Sequence, residues 1–276
     1  MSWILDPYRT DFMRNAAAMA FVVGVLAPVV GVWIVLRRIA YLGDAMSHGT
    51  LAGVAGAYVT GISITVGALV AGVVMGLLVV AFDRQRRIAL DSAIGIAETL
   101  LFSIGVLLIA RNDGIGVELS HYLFGQIVTT SHHDLVVNLA LTVVALAVVA
   151  LSFADLRAVT FDPQHARQVG IGVNVLNLVL IVLISVTVVV SLSTVGLLMS
   201  VAMLITPAAA ARLVTRTVEA MTFVAVVIGT TSALGGLTLS YHLATPPGPT
   251  ISLFTVAWFA GAVAVERIQL RPHVRE

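Results

Sequence analysis

Neither cysteine nor lysine occurs in the 276 residues. Missing thiols exclude disulfides, thiolate nucleophiles and thiolate metal ligands. Missing lysines exclude a Schiff-base amine and the phosphate-binding residue of a Walker motif, so any work driven by ATP must borrow its nucleotide site from another polypeptide. All 15 basic residues are Arg. Charge is scarce too: only 11% of residues are charged while 59% are hydrophobic, against about 25% and roughly 45–50% in soluble domains. With a mean hydropathy of +1.05, this is the composition of a membrane protein. A formal net charge of +1 gives a nucleic-acid partner no electrostatic footprint. The acidic Asp6 and Asp11, and the lack of a small-residue cleavage pattern, argue against a signal peptide at the N-terminus.

Intervals between charged residues mark the spans, because a membrane helix needs about 20 mostly apolar residues. Arg14 to Arg37 predicts one span and Asp44 to Asp83 two, with a turn at Tyr58 to Gly61. Asp91 to Arg111 predicts one, interrupted by Glu98, and Asp134 to Asp155 another. Arg167 to Arg212 and Glu219 to Glu266 are each too long for one helix, and turns near Ser191 to Thr194 and Thr245 to Pro249 make both into hairpins. The expectation is an all-α polytopic protein, one transmembrane domain over residues 1–276, with nine spans. Eight or ten are possible if the His121 to Thr130 segment enters the membrane. Arg pairs and clusters fall in alternate connections, which puts those connections and the C-terminus in the cytoplasm and the N-terminus outside.

Asp44 and His48 are the most informative pair. Four residues apart on a helix they share a face, so a carboxylate and an imidazole can converge on one point. Asp44 lies roughly 10 Å along the helix from Arg37, within the hydrocarbon, where an ionised carboxylate costs at least about 2.5 kcal/mol. A divalent cation would justify that cost. Two copies about a two-fold axis would supply two Asp and two His, and this N₂O₂ set suits Zn²⁺, Mn²⁺ or Fe²⁺ but not Cu⁺. A hydrogen bond between the two side chains inside one subunit explains the spacing equally well.

Between Asp155 and Asn174, Asp162 is suited to cap a helix, Pro163 to begin it and Gly170 to close it. A helix of about two turns, Pro163 to Val169, is expected there. Phe161, Ala166 and Val169 would be its apolar contacts with a cytoplasmic partner.

The run IAYLGDAMSHGTLAGVAGAYVTG from Ile39 resembles the signature of ABC transporter permeases of the manganese, zinc and iron type. Further similarities follow in that family's order: LDSAIGIAETLLFSIGVLL from Leu90, VELSHYLFGQIVTTS from Val117 and FDPQHARQVGIGVN from Phe161. STVGLLMSVAMLITPAAAARLVTRT from Ser193 and GGLTLSYHLATPPGP from Gly235 complete them. The resemblance implies that Asp44 and His48 line a metal path, and that the chain is a homodimeric permease subunit in the bacterial plasma membrane. It implies a solute-binding protein outside, and two ATPase subunits inside that engage Phe161, Asp162, Pro163, Ala166 and Val169. The metal is substrate, with zinc favoured over manganese or iron, and no cofactor is expected.

Weaker candidates accompany the pair. Glu98 sits mid-span where that family usually has an uncharged residue; it could lie on the path or bond a neighbouring helix in protonated form. Glu118 and His121, before YLFG, could draw in a cation or be a solvated loop pair. His132, His133 and His242 are more remote candidates. A permease for a siderophore or corrinoid chelate is the nearest alternative, although a bulky chelate has no need of an Asp–His pair. An intramembrane aspartyl protease built on YLGD would need a second deep aspartate, which is missing, and Ser63 lacks the elbow of a serine nucleophile. The chain is therefore read as a permease and not as an enzyme.

Overall fold

The computed structural model describes residues 6–83, 87–112, 127 and 131–270. Among them, ten α-helices follow a short 3₁₀ turn at Pro7–Arg9. They are α1 (Asp11–Arg37), α2 (Ala40–Thr60), α3 (Ile64–Asp83), α4 (Leu90–Ala110), α5 (His132–Phe161), α6 (Pro163–Gln168), α7 (Val173–Val195), α8 (Leu197–Val214), α9 (Val218–Leu243) and α10 (Pro247–Leu270). No strand occurs among the described residues.

Seven helices are long and apolar enough to cross a membrane: α1, α3, α4, α5, α7, α9 and α10. Sequence spacing had put spans on α2 and α8 as well. α2 is not among the seven, and along its length Asp44, Ser47, His48 and Thr50 interrupt the apolar residues. In α8 the apolar stretch Met199–Val214 is short.

Helix starts follow local chemistry. Ser131 Oγ accepts from Asp134 N at the head of α5, Thr217 Oγ1 from Ala220 N at α9, and Asp162 from Gln164 N and His165 N at α6. Each side chain satisfies amides that have no partner inside the helix. The expected turn at Tyr58 to Gly61 falls slightly later, with α2 running to Thr60 and Gly61 left-handed at φ 72°. The turn expected near Ser191 to Thr194 also falls later: α7 continues through Val195 and the break is Gly196, at φ 83° and ψ 172°. That conformation is open essentially to glycine alone. Gly196 N donates to Leu192 O and its carbonyl accepts from Ser200 N, so one residue closes α7 and opens α8.

α1 is the central post. Four-fifths of its apolar window is buried, against about one-fifth for α5 and α10. It packs on α9, α8, α5 and α7, with Trp33 fully buried and edge-on to Phe153 of α5. α2 sits apart from it, clasped between α3 and α4, and α7 lies against both groups. The small residues of α3 serve two neighbours: Gly67 and Ala71 meet α2 at Gly53, while Gly72 and Gly76 meet α7 at Ser185 and Ile181.

Three Arg-bearing connections come together at one end of the bundle. Arg37 bonds Thr160 and Asn177, Arg212 donates to Val35 O, and Arg157 pairs with Glu219. α1 ends here on Arg38, a non-glycine residue at φ 59° and ψ 35°. Left-handed backbone costs such a residue about 1–2 kcal/mol. Arg38→Gly is therefore expected to retain or slightly raise the apparent melting temperature in detergent, whereas the β-branched Arg38→Val should lower it.

Candidate functional site

α2 presents its polar residues on one stripe. Tyr41, Asp44 and His48 follow each other at spacings of three and four, and all three keep exposed surface while their neighbours Leu42, Ala45, Met46 and Ser47 are buried. The buried side is tied down. Ser47 Oγ donates to Gly43 O and shares a hydrogen bond with Ser200 Oγ of α8, and Thr50 Oγ1 donates to Ser47 O. Asp44 and His48 thus project from a helix whose opposite face is fixed in the core.

Asp44 Oδ1 and His48 Nε2 are 3.9 Å apart, with side chains 41% and 33% exposed. That is beyond hydrogen-bonding distance, so the two groups share a space without closing on each other. Two donors about 2.1 Å from one tetrahedral ion lie roughly 3.4 Å apart, so an approach of about 0.5 Å would bring the pair to the separation of two ligands on one cation.

α4 supplies the other wall. Tyr41 Oη donates to Glu98 Oε2 at 2.9 Å, and the His48 ring meets Phe102 edge-on with centroids 6.0 Å apart. Gly105 allows this approach: a Cβ there would come within 2.9 Å of the Ala52 amide nitrogen, so α2 and α4 run almost backbone to backbone. Asp91, Glu98 and Phe102 follow one another at helical spacing on α4, and sequence spacing within α4 could show that much. The Tyr41 to Glu98 bond joins residues 57 apart in the chain, which no local pattern reveals; the available signal was the position of Tyr41 three residues before Asp44.

Among the described residues no group of three or more His, Asp or Glu side chains comes together as a metal site. One chain therefore brings Asp44 and His48 together but does not add Glu98 as a third ligand. Glu98 bonds a neighbouring helix through Tyr41 instead. Glu118 and His121 lie outside the described residues. His132 and His133 are exposed in the first turn of α5, and His242 lies in the last turn of α9.

The short helix forms as Pro163–Gln168, with Asp162 as N-cap, Val169 as C-cap and Gly170 at φ 86°. Phe161 and Val169 are 63% and 57% exposed. Ala166 corrects the expectation: it is fully buried, and its carbonyl accepts from Ile171 N. Lying one turn in from Pro163, it faces the bundle and anchors α6 there. The outward apolar pair is Phe161 and Val169.

Comparison with known proteins agrees with this architecture. The chain is 38% identical over 250 residues to the manganese transport system membrane protein MntC of Halalkalibacterium halodurans, covering 91% of this chain and 86% of that protein. It is 32% identical over 269 residues to a probable iron transport system membrane protein of Haemophilus influenzae, covering 98% and 99%. Its fold superposes on PsaBC from Streptococcus pneumoniae, solved in complex with Fab, with a TM-score of 0.86 and 31% identity over 95% of this chain and 94% of that one. Residues 9–266 match the family described as the ABC 3 transport family. With residues 9–266 matched and seven apolar spans among the described residues, the chain belongs to the ABC 3 transport family as a multi-pass membrane permease rather than an enzyme.

Proposed function

We propose that this chain is the permease subunit of a bacterial plasma-membrane importer that carries a divalent transition-metal ion between two copies of itself. The observation carrying this reading is the Asp44–His48 pair, 3.9 Å apart and partly exposed on a helix flanked by apolar spans. Ionisable side chains facing lipid are costly, so such a face calls for water or protein against it. A second copy about a two-fold axis would cover it and complete an N₂O₂ set whose two carboxylates neutralise one M²⁺. All nine long helices, α2 and α8 included, would then lie in the membrane. α2 is the polar one because it faces the path, and the Arg-rich end would face the cytoplasm.

Alternating access follows from this geometry. A solute-binding protein delivers the ion outside, Asp44 and His48 hold it briefly without its water, and movement of the two halves releases it. Two ATPase subunits would seat α6 through Phe161 and Val169. The relatives named for manganese and iron support those ions; zinc rests on the Gly43 to Ala57 resemblance, and nitrogen and oxygen donors accept all three.

ATP-driven uptake of radiolabelled Mn²⁺ into proteoliposomes holding the permease and its ATPase, with Zn²⁺, Fe²⁺ and a ferric chelate as competitors, tests the reading. Free divalent ions should compete and the chelate should not. His48→Asp, which replaces a nitrogen donor by oxygen, should shift competition toward Mn²⁺ over Zn²⁺ by about tenfold. Unchanged competition would place His48 away from the ion.

A further inference from the structure

Arg37 is the last residue of α1, with two residues between it and the start of α2 at Ala40. Its guanidinium reaches two other helices at once. Nε donates to Thr160 Oγ1 at 3.0 Å, and Nη1 donates to Asn177 Oδ1 at 2.7 Å. Thr160 belongs to α5 and Asn177 to α7, which are the helices immediately before and after α6. The Thr160 hydroxyl is itself oriented, since it donates to Leu156 O at 2.6 Å and so offers a lone pair to Arg37. The remaining nitrogen, Nη2, is buried with no hydrogen-bond partner among the described residues. A half-buried cation with an idle buried donor is a costly way to fasten three helices. A planar fork with a fixed spread, however, holds two acceptors at a set separation, which a single ammonium cannot.

The geometry points to Arg37 as the positioning residue that carries movement of α6 to the helix bearing Asp44 and His48. α6 hangs from the ends of α5 and α7, and Arg37 grips both. From Arg37 only Arg38, fixed left-handed, and Ile39 intervene before α2. Ile39 N is bonded back to Ile34 O, which stiffens the link. Displacing α6 against its neighbours would therefore drag the start of α2 rather than be absorbed by a loop. Arg157 of α5 pairs with Glu219 of α9 close to Thr160, so the same patch of α5 is fastened on a second side. This inference rests on the reading of α6 as the ATPase-docking element.

The test is the number of Mn²⁺ ions moved per ATP hydrolysed by the complete transporter in proteoliposomes. Arg37→Lys, Thr160→Val and Asn177→Leu should each lower that ratio at least about fivefold while ATP hydrolysis stays within about twofold of wild type. Thr160→Ser, which keeps the acceptor, should restore it. If Arg37→Lys fails to assemble, the two acceptor variants decide. A wild-type ratio in both, or parallel loss of hydrolysis and transport in all three, would overturn the role. The double variant Phe161→Glu, Val169→Glu separates the two layers of argument. Retained ATPase binding there would overturn the docking reading and this inference with it. Lost binding together with wild-type ratios in the three variants would overturn this inference alone.

Discussion

Asp44→Ala is expected to reduce ATP-driven metal uptake by roughly thirtyfold or more, the equivalent of about 2 kcal/mol, the low end for removing a charge partner because Asp44 keeps solvent exposure. The loss should appear in transport and not in assembly. Among the described residues Asp44 makes no hydrogen bond that holds α2 in place; its helix is fixed instead through the buried Ser47 and Thr50. Elution of the variant from a sizing column should therefore match wild type. Asp44→Asn, similar in shape but neutral, should fail nearly as badly, because the ion exchanges its hydration shell for negative charge. Uptake by Asp44→Ala within about threefold of wild type, far short of that loss, would remove the pair from the path.

Gly67→Val is expected to damage the fold itself severely. A Cβ at Gly67 would fall on the Gly53 carbonyl and within 2.6 Å of Ala57 Cβ, and one at Gly53 would fall on the Gly67 carbonyl. The obstacle is backbone on both sides, so no rotamer change relieves it. Overpacking of this kind costs about 3 kcal/mol or more, which lowers the apparent melting point in detergent by roughly 6–12 °C. Gly261 of α10 provides the contrast, since nothing lies within 4 Å of its ideal Cβ. Gly261→Ala should be neutral or stabilising by up to about 1 kcal/mol. Equal damage at the two positions would show that close approach of α2 and α3 does not limit stability.

The long helices were legible because, apart from Glu98 in α4 and the Asp44–His48 pair in α2, ionisable residues are confined to their ends, and the caps at Asp162, Pro163 and Gly170 were legible because capping is local chemistry. The Gly196 break was misplaced for a physical reason. Hydroxyls within membrane helices donate back to their own helix, as Ser185 does to Ile181 O and Thr187 to Leu183 O, so a polar cluster need not end one. The positive φ of Gly196 does what Ser191 to Thr194 do not. Ala166 was misassigned because hydrophobicity alone does not say which side of a two-turn helix faces its own bundle. At the candidate site, spacing put Asp44 beside His48, but the bond from Tyr41 to Glu98 and the edge of Phe102 against His48 depend on how α2 crosses α4. The fork of Arg37 is equally tertiary, joining residues 123 and 140 positions away.

α1 is made before the nine other described helices yet ends as the innermost one, with partners on α9, the last but one of them. At about 5–20 residues per second, α1 waits roughly 10–40 s between its own synthesis and that of Leu243. During that interval the face of α1 that α9 will cover has no partner. Its uninterrupted apolar stretch from Ala16 to Leu36 suits that wait, for a helix with a polar inner face would be stranded. The helix that needs a polar stripe, α2, can complete its own clasp as soon as α3 and α4 follow it. The division of labour between a plain central post and a decorated neighbour therefore matches the order of biosynthesis as well as the finished architecture.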